Sequence, residues 1–174
     1  REKLVKYEEI SDRIEYEIAA FLNGVSAGDI SEATSMKIKA MYKIIGELES
    51  LGDSGEAISR MLSRRNEHKK TFNAETIDNI NLMFEKVDNA YEVMIANLTA
   101  AHEGTLSSIT NAYHAEEHIN TLRNELREAE IEALEDNQKN YQTSVYYIDI
   151  INELEHMGDF MINVSQSLER VFVH

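Results

Sequence analysis

The chain has 174 residues, room for one domain or one compact pair of repeats, and enough length to bury a sizeable core. Its 32 acidic and 17 basic residues give a formal charge of −15, which opposes direct binding to nucleic-acid phosphates and fits a solvated helical surface, cation binding or a basic partner. The absence of cysteine rules out disulfides and thiolate metal sites, no apolar run approaches the ~18–20 residues of a membrane span, and no signal peptide is visible.

There is no proline and little glycine, and the abundance of Ala, Glu, Leu and Ile favours long helices. No sustained two-residue alternation marks a strand. Five amphipathic helices account for nearly all of the chain. The first is predicted over about 2–24, with Leu4, Tyr7, Ile14, Ile18, Phe21 and Val25 on its apolar side. After the turn "NGVSAGD" the second runs over about 31–66, with "SEAT" as its start. The third is expected over about 74–101, capped by Asn73, and "HEGT" breaks it. The fourth covers about 106–135, and the fifth follows "EDNQ" over about 139–172. Short connections between them predict an all-α, up-and-down antiparallel bundle. Tyr42, Met83, Met94 and Tyr147 read as core or interface residues.

The second and fifth helices are related. Residues 44–64 align with 150–170 without gaps, and ten of the 21 positions are identical, among them "ELE" and "GD" of "ELESLGD" (47–53) and "ELEHMGD" (153–159). One element has been copied. The chain therefore divides into repeat 1, residues 1–68, with two helices, and repeat 2, residues 69–174, with three. Repeat 1 is expected to lack its leading helix, and the start at Arg1, inside a helical pattern, reads as a cut within a longer protein.

A helical wheel places the acids. With Leu48 at zero, Met41, Ile44, Ile45, Leu51, Gly52, Ile58 and Leu62 fall within about 80° on either side and define the buried face. Glu49, Asp53 and Glu56 fall at roughly 80–140° and form a stripe beside it. Gly52 stands at the border, where the missing Cβ allows a close approach. On the first helix Glu8, Asp12 and Glu15 repeat the spacing E-x-x-x-D-x-x-E. Two facing stripes bring six carboxylates together, and two unit charges 4 Å apart near a surface repel by about 4 kcal/mol before screening. A multivalent cation relieves this, and all-oxygen ligands suit Mg²⁺, Ca²⁺, Mn²⁺ or hard iron. The bland reading is a solvated acidic flank whose side chains splay apart. In the second copy Glu155 and Asp159 persist, Ile162 replaces the third acid, and the facing positions are Glu116, Asn120 and Arg123. That copy is expected to bind metal less well.

Two other patterns carry less. "HAEEH" (114–118) matches a zinc-protease spacing, but such a match is cheap in a Glu-rich helix. Glu153-x-x-His156 matches a di-iron bundle motif, but the first copy has Ser50 in place of the histidine.

"ELESLGD" and "ELEHMGD" resemble "DLERIGD", the hallmark stretch of PhoU proteins. That resemblance implies tandem three-helix bundles with the first helix of repeat 1 missing. It also implies paired E(D)-x-x-x-D motifs on neighbouring helices that hold iron or zinc. Glu8 and Asp12 with Glu49 and Asp53 match one such pair, with Glu15 and Glu56 as further ligands. Glu155 and Asp159 match half of a second pair, whose partner Glu116-x-x-x-Asn120 is degraded. "YEEISDRIEYEIAAFL" through "LESLGD" is most similar to the C-terminal PhoU-type domain of bacterial Na⁺/phosphate cotransporters. The implied role is regulatory and non-enzymatic, at the cytoplasmic face of the bacterial inner membrane. The implied partners are an attached membrane transporter domain, phosphate bound through the metal, and a second copy of the chain in a dimer. The alternatives are a dimerisation or interaction bundle with vestigial acids and, further off, a carboxylate metalloenzyme.

Overall fold

A computed structural model of the chain describes residues 9, 12–16, 18, 31–67, 72–136 and 139–173, and among these every regular element is an α-helix. Helix α1 spans Glu32–Glu67, α2 Ala74–Glu103, α3 Thr110–Glu135 and α4 Tyr141–Phe172. They are the second to fifth predicted helices. Of the first predicted helix, residues 9, 12–16 and 18 are helical, and Ile14 and Ile18 pack against the core. Leu4, Tyr7, Glu8, Phe21 and Val25 lie outside the described residues. No described helix is long and apolar enough to cross a membrane.

Local chemistry sets the helix ends. A helix start leaves four backbone N–H groups without intrahelical acceptors, and Ser, Thr, Asn or Asp just before it can satisfy one. The Ser31 hydroxyl accepts from the Thr34 N–H at 3.2 Å, Asn73 Oδ1 from Thr76 at 2.8 Å, and Asn140 Oδ1 from Thr143 at 3.2 Å. Helix α2 stops at Gly104, whose φ of 73° is the left-handed conformation glycine adopts without a Cβ clash. From there the N–H groups of Gly104 and Thr105 turn back to the carbonyls of Ala101 and Ala100. Helix α3 begins at Thr110, four residues later than its apolar pattern predicts. Leu106 and Ile109 are both buried, so the chain reverses direction with two side chains anchored in the core before the helix resumes.

Helix α4 is the centre of the packing. It touches α1, α2 and α3, and α2 also packs on α3. Such a helix needs apolar residues around most of its circumference. Tyr147, Ile150, Ile151, Leu154, Met157, Met161, Val164 and Leu168 are all buried along it. Helix α1 packs on α4 alone among the described helices, and its buried apolar set is narrower: Ala40, Ile44, Leu48, Leu51 and Ile58. A short connection therefore does not make neighbours of α1 and α2, contrary to a simple up-and-down order; the breadth of the apolar face on α4 decides the arrangement. Met83, Met94 and Tyr147 are core residues as expected, whereas Tyr42 is 62% exposed and is no part of the core.

One polar network crosses the core. Asn97 of α2 donates through Nδ2 to Asn111 Oδ1 of α3 and to Ser165 Oγ of α4, both at 3.1 Å, and Asn111 returns a bond to Asn97 Oδ1 at 3.1 Å. Buried amides are tolerated when paired in this way.

Candidate functional site

In the first copy, α1 turns Leu48 and Leu51 into the core and leaves Glu49, Asp53 and Glu56 exposed on one flank. The wheel thus describes this helix well. The acidic side of the first predicted helix faces that flank. Burial, then the negative charges of Glu49 and Asp12, push the Glu15 carboxyl above the ordinary glutamate range. Glu56 pairs with Arg60 one turn on, at 3.7 Å and in solvent, so its charge is partly answered along its own helix. Glu8 lies outside the described residues. Among the described residues no three histidines or acids are grouped closely enough to hold a metal ion.

The second copy is tighter. Glu116 and Arg123 of α3 face Asp159 and Glu155 of α4, as expected from the wheel, and Asn120 lies beside Glu116 on α3. Burial, then the charge of Asp159, raise the pKa of Glu116, while a hydrogen bond from Asn120 opposes them. Burial and the charge of Asp159 also raise Glu155; Arg123 opposes, a hydrogen bond to Asp159 adds to the rise, and His156 opposes weakly. His156 lies 3.9 Å from both Glu153 and Glu155 and is largely in solvent. Buried Asn120 Oδ1 and Arg123 Nε make no hydrogen bond. Arg123 places a fixed positive charge beside Glu155.

The two border glycines differ. A Cβ built on Gly158 falls 2.9 Å from Ile119 Cδ1, so α3 and α4 approach closely there; a Cβ on Gly52 meets nothing within 4 Å. The same contrast runs along the helices. Met41, Ile45, Gly52, Ser59 and Leu62 of α1 are only half-buried, while their counterparts Tyr147, Ile151, Gly158, Ser165 and Leu168 of α4 are buried.

The other two patterns do not form catalytic sites. His114 and His118 are exposed, and His156 of the Glu-x-x-His motif points to solvent instead of the bundle interior. Sequence reading missed Glu130, which is 8% exposed and accepts a 2.6 Å hydrogen bond from Ser144 Oγ, with Lys139 Nζ 4.0 Å away. The signal was available: position 130 continues the apolar stripe Ile119, Leu122, Leu126 of α3. It also missed the bond from Asn163 Nδ2 to Glu47 Oε2, 3.2 Å long, which joins α4 to α1.

Comparison with family models, with curated proteins and with solved structures returns no match.

Proposed function

We infer that the chain is a non-enzymatic, PhoU-like regulatory domain acting in phosphate transport, most similar to the domain attached to a Na⁺/phosphate cotransporter at the cytoplasmic face of the inner membrane. Its acidic stripes take up a metal cation, which links phosphate or the transporter to the bundle. The observation that carries this reading is the juxtaposition of Glu15 with Glu49 and Asp12 across two helices, a set of carboxylates whose mutual repulsion a cation would remove. The duplicated "ELE…GD" element supports it. Glu8, Asp12, Glu49 and Asp53 are the first ligands, Glu15 and Glu56 the next, and Glu116, Glu155 and Asp159 a weaker second set. Iron or zinc follows from the resemblance, and magnesium, manganese or calcium from the all-oxygen donors.

The test is a metal assay combined with thermal melts in chelator and in added Fe, Zn, Mn, Mg or Ca. The expected result is a melting temperature that rises with one of these metals. Glu49→Gln with Asp53→Asn abolishes that rise. A metal-free protein whose melting ignores every cation would overturn the site.

A second reading draws on the half-exposed apolar side of α1. Met41, Ile45 and Leu62 are partly open, and Met36 and Tyr42 are exposed. That side suits a dimerisation or interaction bundle. It predicts concentration-dependent self-association in sedimentation, without any response to metal.

A further inference from the structure

We propose that His114 and His118, on the outer face of α3, form a chelating site for a divalent transition-metal ion of the nickel or copper class. Of the six histidines of the chain, only these two stand four residues apart. Both lie within α3, and both are exposed. Residues i and i+4 are neighbours on one helix face, with Cβ atoms ~5–6 Å apart. Two imidazole nitrogens bound to one metal ion, each at ~2 Å, stand about 3 Å from one another. Exposed rings that hold no hydrogen bond or ion pair with another described residue can turn together over that gap, chiefly at the cost of side-chain entropy.

The surroundings favour a cation. Glu117, three residues after His114, is exposed beside the pair and adds a negative charge. Arg123 follows His114 by nine residues, about 180° round the helix, on the side that faces Glu155. His114 stands more than one turn past the helix start at Thr110, so the positive helix terminus has little effect on it. The formal charge of −15 raises the concentration of cations at the surface.

Ligand type sets the metal. Imidazole suits zinc, copper, iron and nickel, whereas magnesium, calcium and manganese prefer oxygen, and affinity for a nitrogen site climbs from manganese through nickel to copper. No third histidine or acid among the described residues is close enough to bind the same ion, so water fills the remaining positions. Nitrogen and water together suit the tetragonal coordination of copper(II) and nickel(II). The site differs from the acidic stripes in place and in chemistry: Glu116 lies about 160° from His114 round α3, and all-oxygen ligands take harder ions. The inference does not rest on the regulatory reading.

The test titrates the 174-residue chain with Ni²⁺ in excess Mg²⁺, which occupies carboxylate sites and leaves imidazole free. Calorimetry reads the affinity, and the paramagnetic ion marks its own position by broadening nearby amide signals. One saturable Ni²⁺ site is expected, with the strongest broadening around residues 114–118. His114→Gln and His118→Gln should each weaken it at least tenfold, since even an outer-shell partner of a metal ligand is worth about 10–100-fold in affinity. His102→Gln, His156→Gln and the pair Glu49→Gln with Asp53→Asn should leave it unchanged. Glutamine is a good helix former, and melts check that each variant folds. The proposal is overturned by no saturable binding, by full affinity in His114→Gln or His118→Gln, by comparable weakening in His102→Gln or His156→Gln, or by broadening centred elsewhere. Loss of binding in Glu49→Gln with Asp53→Asn alone would also overturn it, and would point to the acidic stripes instead.

Discussion

Replacing each border glycine by alanine should affect stability differently at the two positions. In a helix interior alanine is favoured over glycine by about 1 kcal/mol. At Gly52 nothing opposes that gain, since a new Cβ meets no atom within 4 Å. Gly52→Ala should therefore stabilise the protein by about 0.5–1 kcal/mol. At Gly158 the Cβ lies 2.9 Å from Ile119 Cδ1 and 3.5 Å from its Cγ2, so the fully buried Ile119 must shift to admit it. Overpacking of this kind costs about 1–3 kcal/mol, so Gly158→Ala should come out neutral to destabilising by about 2 kcal/mol. Urea denaturation followed by circular dichroism measures both. Ile119→Val supplies the control, because it removes the interfering Cδ1. Alone it should cost about 0.5–1.5 kcal/mol, and combined with Gly158→Ala the pair should cost at least ~1 kcal/mol less than the sum. Equal stabilisation at both glycines, or additivity in the cycle, would refute the close approach of α3 and α4.

Three further outcomes can be checked. Asn97→Ala leaves the buried Ser165 hydroxyl without its partner, while exposed Asn111 can turn to water, and should cost about 1–3 kcal/mol in the same assay. Glu15, Glu116 and Glu155 bind their protons more tightly in the folded state than when unfolded, so the stability they offer is present at low pH and lost as pH rises through their raised values. The melting temperature should accordingly climb as pH falls from about 7 towards about 5, and Glu155→Gln should raise it at neutral pH and flatten the dependence; a Gln variant less stable at pH 7 would contradict the repulsion from Asp159. Glu56→Gln breaks only a solvent-exposed pair with Arg60 and should change stability by less than ~0.5 kcal/mol.

The helices were legible because amphipathic periods of this length leave little choice, and their ends were legible where Asn73 or Gly104 supplies a specific cap. The start of α3 was not, because Leu106 and Ile109 fit a helical period as well as they fit an anchored turn. The facing of Glu116 and Arg123 towards Glu155 followed from the wheel once the copies were aligned, since duplicated helices keep their rotational order. Which helices pack together did not follow from loop length. That depends on how far the apolar surface of α4 extends around its axis, and only the summed burial of Tyr147, Ile151 and Leu168 reveals it. Glu130 escaped notice because a single acid on an apolar stripe looks like solvent surface until its partner, Ser144, is placed 14 residues away.

The Asn97, Asn111 and Ser165 network also governs which motions the bundle can make. Sliding α4 past α2 by one helical turn, about 5.4 Å, would break the buried Asn97–Ser165 hydrogen bond. A piston stroke along α4 is therefore costly. The α1–α4 contact is pinned by Asn163 and Glu47 at its edge, and its outer side is half open. Among the described helices α1 packs on α4 alone, so a displacement of α1 would be passed to the other helices through α4.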